Sequence, residues 1–582
     1  MSLIFGFLDK TNFVRRSHNE LGGGIRDLSL NGERNLYSLD FDNVVFSCVC
    51  QTGKEYLQIA ENEDKSLMLI MGGRIFGFKR HTDELKTKGH RFLHSDSPAE
   101  FLLHAFEQYG SSCFKDVNGI YSVAVWDRKH NQLFIANDLF GFYPLFIADL
   151  PHVFIFCSEY QPILEYKKFK KTLNHDAIAE YFLAGVVLGN KTFFKGINRL
   201  PPASVLTCSR GRITLSQYEC IHVPIQRGKT IKFFAKAIEE TFRHAVKVRV
   251  ASSHIERCDL SGGLDTRLIL GSLSAAERSR FPFVTGQSAY LQRNEDKDVI
   301  CAEILAEKLH LRHIIMKGSK PADFGSGYFD HIRPRHNNDG LRIAGVCGGE
   351  LLGGVYQKLY PSFLCAYASR GFIRQQVNNY FSKSFIRNLG ELDELYGYAR
   401  VSNNAASQEN SPLLTSIDLL NRSFFSTVYQ GAFSGWLCRY QNFLSNRVFP
   451  YLDKEFLKAL LSVPPEYVQD YRLYIEIMKI YHKDLLNIPC SSGACKHPFI
   501  KQPDNARHSF DVTKYKYHKF SVSCVRKPYA WWKRSHGRSY RKKVTLLMLD
   551  CIFQDGTSDK ELIKFLDFQG WLWRYYISEG LL

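Results

Sequence analysis

The sequence predicts an α/β protein of more than one domain, and three observations carry that expectation. Residues 1–205 hold short apolar runs separated by Gly, Asp and Asn turns, the pattern of strand-rich layers. From residue 231 the pattern changes to strands alternating with helices, which argues for βαβ units and a parallel sheet. At 582 residues the chain is too long for a single hydrophobic core, so two or three domains are expected.

In the first part, Val44-Val45-Phe46, Leu67-Met68-Leu69-Ile70-Met71 and Tyr121-Ser122-Val123-Ala124-Val125-Trp126 read as strands. Residues 99–109 place Phe101, Leu102, Ala105 and Phe106 on one helical face. Sheets with a few helices suggest a layered arrangement. After Leu200-Pro201-Pro202 comes more hairpin-like sequence and a basic, turn-rich stretch, so residues 206–230 read as a linker. Beyond it, helices are expected at 231–250, 266–275 and 297–309, with strands at 256–260, 281–286 and 313–316. From about residue 370 the chain reads as mainly helical, through 418–428, 454–461 and 473–480. Residues 501–582 form a basic, aromatic, helical extension.

Composition narrows the partners. Hydrophobic residues make up 45% and charged residues 23%, ordinary values for a soluble globular protein. The formal charge of +18 favours acidic partners, whether nucleotide phosphates, nucleic acid or an anionic membrane surface. Residues 514–543 interleave Lys and Arg with Tyr, Phe and Trp, and read as a solvated helical face rather than a nucleic-acid site. The 15 cysteines show no repeated CxxC pair, which favours free thiols in a reducing compartment. No run of 18 uncharged apolar residues and no basic segment leading into a long apolar run occurs, so neither a transmembrane helix nor a signal peptide is expected. A cytoplasmic location follows as the expectation.

One loop carries the chemistry. The strand ending in Asp259-Leu260 runs directly into Ser261-Gly262-Gly263-Leu264-Asp265, and a helix begins near Thr266. Two glycines let the backbone approach an anion, and the following helix offers unpaired N–H groups at its positive end. Ser261 and Thr266 add hydroxyls, and Asp265 adds a carboxylate suited to Mg²⁺ bridged to phosphate oxygens. Residues Leu260 to Thr266 are therefore the expected ATP and pyrophosphate contacts. No Gly-Lys-Ser/Thr follows, so this is not a Walker loop. It resembles the SGGxDS signature of the ATP-pyrophosphatase superfamily, whose members cleave ATP between its α and β phosphates.

Further motifs in order widen the resemblance to the asparagine synthetase family. Val117-Asn118-Gly119-Ile120-Tyr121-Ser122-Val123-Ala124-Val125-Trp126-Asp127, Asn137-Asp138-Leu139-Phe140-Gly141-Phe142-Tyr143-Pro144-Leu145, Cys157-Ser158-Glu159 and Leu200-Pro201-Pro202-Ala203 are each similar to a family motif. The resemblance implies an N-terminal nucleophile (Ntn) domain over 1–205, an αββα sandwich of the class II glutamine amidotransferase type. It implies an ATP-pyrophosphatase domain over 231–500, adenine nucleotide α-hydrolase-like, with a parallel sheet and a helical C-terminal part. Phe283-Val284-Thr285-Gly286-Gln287 resembles the second strand, where Thr285 and Gly286 would cup adenosine. The stretch from Gly345 to Tyr356 is similar to "SGEGADELFGGY", where Gly348 and Gly349 would form a phosphate nest. Residues 446–453 resemble "EVRVPFLD". Asp265 and Glu350 would then hold Mg²⁺, and Lys496 is the counterpart of a late transition-state lysine; these three are the implied catalytic residues.

The sequence departs from the family where glutamine chemistry belongs. The family nucleophile is a cysteine, but residue 2 is Ser2. The "NGEIYN" oxyanion segment reads Gly72-Gly73-Arg74-Ile75-Phe76-Gly77, and no arginine for the glutamine carboxylate is found near Cys48-Val49-Cys50. An inactive glutaminase is expected. Val346 and Gly349 replace two family acids, so the acceptor chemistry is expected to differ from asparagine formation. The resemblance thus implies an ATP- and Mg²⁺-dependent amide-forming ligase joining a carboxylate to an amine or ammonia. Lasso peptide cyclases, β-lactam synthetases and polysaccharide amidation are the analogues. Partners would be a precursor peptide or another biosynthetic protein, and a second copy of the chain. A catalytically silent nucleotide-binding scaffold and a true glutamine-hydrolysing asparagine synthase are the alternatives.

Overall fold

Alternation along each strand of the first part buries both faces, and that is what layers it. The computed structural model describes residues 3–10, 34–41, 43–51, 57–159, 161–184, 189–219, 223–252, 255–287, 296–317, 341–353, 383–390 and 447–491, with a few single positions between them. The strands are β1 (Leu3–Asp9), β2 (Arg34–Phe41), β3 (Val44–Gln51), β4 (Ile59–Glu61), β5 (Leu67–Phe76) and β6 (Asn118–Asp127). They continue with β7 (Gln132–Asn137), β8 (Phe146–Asp149), β9 (Val153–Cys157), β10 (Asn198–Arg199), β11 (Ser204–Ser209) and β12 (Arg212–Gln217). One antiparallel sheet has the order β10-β8-β9-β1-β3-β2, and a second has β12-β11-β7-β6-β5-β4.

In β5 and β6, Met68, Ile70, Ala124 and Trp126 face the first sheet, where Ile4, Phe46 and Phe156 meet them. Leu69, Met71, Val123 and Val125 point the other way, onto the helix α1 (Pro98–Tyr109). That helix opens on Ser97, whose side chain accepts from the Glu100 amide at 3.1 Å. On the far side of the first sheet, Phe7 packs edge-on against Tyr166, with ring centroids 6.2 Å apart. Tyr166 follows the short helix Gln161–Glu165, which packs on β9, so the layers run helix, sheet, sheet, helix, the αββα order that the family resemblance implied. Gly6 belongs to this core, because a Cβ there would lie 2.0 Å from the Phe156 ring.

The hairpin of β11 and β12 pairs onto β7, so residues 206–217 belong to the second sheet rather than to a linker. The stretch read as connection shortens accordingly. The amphipathic helix then spans α2 (Ile231–Ser252). The strands β13 (Ile255–Asp259), β14 (Phe283–Gln287) and β15 (His313–Lys317) are where the alternation put them, each within two residues. The helix expected at 266–275 is two, α3 (Leu264–Ser272) and α4 (Ala275–Arg280), because Ser274 and Glu277 form a reciprocal cap that starts a new helix. Helix α5 (Lys297–Lys308) follows.

Two short strands, β16 (Leu341–Ile343) and β17 (Arg447–Val448), complete a five-stranded parallel sheet of order β15-β14-β13-β16-β17. Strand order therefore reverses between β13 and β16, the position at whose carboxyl ends parallel α/β sheets form their ligand crevice. Helices α6 (Lys454–Leu461) and α7 (Arg472–Tyr481) pack on this unit. The helix expected at 418–428 lies outside the described residues. Among the described residues no helix is long and apolar enough to cross a membrane.

A buried charge pair joins the two parts. Asp453 caps α6 through Oδ1, accepting from the amides of Glu455 (3.0 Å) and Phe456 (3.2 Å). Its Oδ2 takes Arg249 Nη1 at 2.7 Å and Asn118 Nδ2, from the second sheet, at 2.8 Å. Asn118 Oδ1 accepts in turn from the Lys454 amide at 3.2 Å. The Arg249 guanidinium also stacks 4.5 Å from the Phe76 ring. Burial alone would raise the Asp453 pKa, but Arg249 and the surrounding donors hold it below the ordinary 3.8. Since the unfolded chain binds that proton more tightly, the stabilisation is complete above the ordinary value and is lost as pH falls through the lower folded value. Asp453→Ala leaves Arg249 buried without its anion and is expected to cost about 3–5 kcal/mol in denaturant unfolding at neutral pH. The difference from the unmodified chain should shrink in acid; a variant as stable as the parent at neutral pH would contradict the clamp.

Candidate functional site

The turn between β13 and α3 stands at the crevice, and its own side chains shape it. The Ser261 amide donates to Thr266 Oγ1 at 3.0 Å, the two hydroxyls lie 3.0 Å apart, and the Gly263 amide donates to Ser261 Oγ at 3.2 Å. The Gly262 amide donates to Asp298 Oδ1 at 2.7 Å. Thr266 is buried and serves the loop's conformation, in addition to any ligand role. Gly263 stands at the N-cap of α3 and, having no side chain, makes no side-chain cap bond. Ser261, Gly263 and Asp265 keep partial exposure, while Leu260 and Leu264 are core residues.

Beneath the turn, Arg267 is fully buried and donates to the carbonyls of Leu485 (2.8 Å), Ile488 (2.7 Å) and Pro489. The segment it holds brings Ser491 up against the loop, where its amide donates to Gly262 O at 2.9 Å and its hydroxyl to Asp298 Oδ1 at 2.7 Å. A Cβ on Gly262 would lie 2.6 Å from Ser491 Oγ and 2.7 Å from Cys301 Cβ. Close packing thus requires this glycine, whatever the ligand.

The facing wall follows β16. Cys347 takes a left-handed backbone (φ 75°), and the short helix α8 (Gly348–Leu352) begins at once. The Gly349 amide donates to Asp265 Oδ2 at 2.8 Å, and Tyr474 OH donates to Oδ1 at 3.1 Å. Tyr451 OH, 2.8 Å from Tyr474 OH, reaches the Asp265 carbonyl at 2.9 Å. Burial first, and the Asp265 carboxylate beside them, push both phenols well above the ordinary 10, so they remain donors. Gly348 sits directly against the carboxylate. Glu350 lies in the same helix, one position after Gly349; its side chain is not among those described.

Thr285, at the end of β14, donates to Leu260 O at 2.8 Å and lies 2.7 Å from His313 Nε2. Burial holds His313 below its ordinary 6.5, so the ring is neutral at neutral pH and Nε2 carries the proton given to Thr285. Gly286 is exposed, with open space where a Cβ would stand. The structure thus brings residues 260–266, Thr285, Gly286, Gly348 and Gly349 to one end of the parallel sheet. Lys496 and Ser2 lie outside the described residues. Asp298, Tyr451 and Tyr474 were not singled out from the sequence; Tyr474 meets Asp265 across 209 positions, and no local pattern announces such a contact.

Gly72 and Gly73, which the resemblance set against the family's oxyanion segment, lie inside β5. A Cβ on Gly72 would fall 2.2 Å from Tyr143 OH, and one on Gly73, at φ 102°, would fall 2.1 Å from Ile120 O. Tyr143 is fully buried, with its amide donating to Asp138 Oδ2 at 2.9 Å and its carbonyl accepting from Ser122 Oγ at 3.0 Å. The room an asparagine side chain needs at position 72 is filled by that phenol.

A Cβ on Gly348 would stand 2.5 Å from Asp265 Cγ, whereas on Gly349 the nearest atom is Tyr471 OH at 3.4 Å. Gly348→Ala is therefore expected to cost about 1–3 kcal/mol by overpacking, and Gly349→Ala distinctly less. Paired urea denaturation curves check this, and equal losses at the two positions would contradict the arrangement.

Residues 49–219 match the family model of a glutamine amidotransferase domain. The chain is 27% identical over 336 residues to asparagine synthetase [glutamine-hydrolyzing] 3 of Bacillus subtilis, covering 52% of this chain and 53% of that protein. It is 27% identical over 268 residues to asparagine synthetase [glutamine-hydrolyzing] 2 of the same organism, covering 43% and 34%. The match thus spans about a third to a half of these relatives' own length. Among solved structures, the allosteric regulatory enzyme of purine biosynthesis is similar at a TM-score of 0.29 and 9% identity, over 55% of this chain and 81% of that one. The amidotransferase match and these relatives support the resemblance of the chain to the asparagine synthetase family.

Proposed function

We propose that this chain is an ATP-dependent carbon–nitrogen ligase that activates a carboxylate as its acyl-adenylate and joins it to an amine. The observation that carries the reading is the position of the Ser-Gly-Gly turn and of Asp265. They lie at the carboxyl ends of β13 and β16, where strand order reverses and α/β sheets take their ligands. The start of α3 has no side-chain cap, which suits an anionic phosphate group. The open space at Gly286 suits the nucleoside.

Magnesium fits the residues present. The Asp265 carboxylate is oriented by Gly349 N–H and Tyr474 OH yet stays partly exposed, as a metal-ligating carboxylate with its supporting hydrogen bonds does. Glu350 would be the second acid. When bound, Mg²⁺ neutralises charge on the leaving pyrophosphate. The chain's own part is to hold the phosphate tail on the Ser261–Asp265 turn and to keep Asp265 aimed through its tyrosines.

A substrate carboxylate oxygen bonds to the α-phosphorus as the bond to the β-phosphate oxygen breaks, releasing pyrophosphate. The amine then bonds to the acyl carbon, loses a proton, and AMP leaves. With Tyr143 filling the oxyanion position, the nitrogen comes from an amine of the substrate or from free ammonia rather than from glutamine. Among analogues of this kind, macrolactam- or β-lactam-forming and polysaccharide-amidating ligases fit, in the cytoplasm where ATP is at hand.

A silent nucleotide-binding scaffold is the second reading, favoured by the internal bonds on the Ser261 and Gly262 amides. Incubation with MgATP and panels of carboxylates and amines separates the two. The expected products are AMP and pyrophosphate in equal amounts, with no glutamate released from glutamine. Asp265→Asn should slow turnover on the order of 10²-fold. ADP as the sole nucleotide product, or turnover indifferent to Asp265, would refute the ligase.

A further inference from the structure

On the outer face of the N-terminal sandwich, far in sequence from the nucleotide turn, three potential ligands converge. His104 and Glu107 stand three residues apart on α1 and so share a face of that helix. His90 comes from the loop before it. The ligand atoms of all three lie within 4.8 Å of one another, and among the described residues no other group of three His, Cys, Asp or Glu side chains meets in this way.

We infer that His90, His104 and Glu107 form a binding site for a divalent transition metal, with zinc the best match. Nδ1 of His104 lies 3.1 Å from Glu107 Oε2, and Nδ1 of His90 lies 3.3 Å from the same oxygen. Ligands of a tetrahedral zinc ion, bound at about 2.0–2.1 Å, are separated by about 3.3 Å. Two imidazoles and one carboxylate make a recurrent zinc set with a fourth position left to water.

Neighbouring groups hold the three side chains in place. Nε2 of His90 lies 3.0 Å from Gln108 Oε1, which turns Nδ1 of the ring toward Oε2 of Glu107 at 3.3 Å. Glu107 is also held from behind, because Asn62 Nδ2 donates to Oε1 at 2.9 Å and leaves Oε2 directed at the histidines. Asn62 itself is tied down, its Oδ1 accepting from the Leu67 amide at 2.9 Å and its Nδ2 reaching Ser66 Oγ at 3.1 Å. Such an outer contact is what orients a metal-ligating carboxylate. His104 is 2% exposed while the Glu107 side chain is 30% exposed, so the site has a dry floor and an open mouth. A bound ion would pin the loop carrying His90 to α1.

Calorimetric titration of the chelator-treated full chain with ZnCl₂ tests the site, with His90→Gln and Glu107→Gln as variants at the more exposed rim. The unmodified chain should take up one equivalent of zinc that both variants lack, and its thermal midpoint should rise with zinc where theirs does not. Asn62→Ala should keep the site but weaken it by about 10–100-fold. Co²⁺ should give the intense visible bands of a tetrahedral site in the parent chain alone. Circular dichroism of the metal-free variants, unchanged from the parent, shows that the loss is one of ligands rather than of fold. Identical isotherms for the parent and both variants, or no zinc uptake by the parent, would overturn the inference.

Discussion

A single carboxylate spans the crevice on which the second half of the structure is organised. Asp265 belongs to the helix after β13, yet its oxygens are held by the Gly349 amide after β16 and by Tyr474 from the C-terminal helices. Hydrogen bonds to a charged acceptor contribute about 1.5–3 kcal/mol each, enough to set the distance between two strand ends. Other features follow from that grip. Gly348 must lack a side chain because the carboxylate fills its space. Tyr451 and Tyr474 must be buried and protonated to donate. Asp298 and Ser491 close the opposite side of the turn through hydrogen bonds with Gly262 and with each other.

The same half is welded to the sandwich. The hydrophobic core runs without a break from the outer face of the second antiparallel sheet, through Phe234, Ile238 and Phe242 of α2, into the parallel sheet. Within that apolar contact the Arg249–Asp453–Asn118 cluster supplies direction, since three partners must meet in one geometry for the buried charges to be compensated. Within the sandwich the Tyr143 phenol occupies the space beside Gly72, so packing there depends on the volume of that ring.

Much of this was legible from residue pattern. Short apolar runs at 67–71 and 121–126, bounded by turn residues, marked the strands buried on both faces, and the Ser-Gly-Gly-Leu-Asp turn between an apolar strand and a helix marked the candidate site. The family resemblance was equally visible in the order of short motifs. What stayed hidden depends on distance in sequence or on brevity. β16 and β17 have three and two residues, too short for any periodicity, although they create the reversal in strand order. The short helix α4 was hidden because Ala275–Arg280 buries no residue and so carries no apolar face; the Ser274 cap starts it. The stretch at 204–217 read as hairpin-like, but its outer strand carries exposed polar residues and its pairing onto β7 was not legible, so residues 206–217 were counted with the linker. Tyr143 behind Gly72 was invisible because a missing side chain in sequence looks like a loss, whereas in space it is an exchange of occupants.

The most direct measurement is a crystal structure of the chain with Mg²⁺ and the non-hydrolysable analogue α,β-methylene-ATP. The expected result is a phosphate chain lying on the Ser261–Gly263 turn at the start of α3, with Asp265 on the metal and the adenosine toward Gly286. A nucleotide bound elsewhere, or this crevice closed around Asp265 with no nucleotide inside, would contradict the assignment.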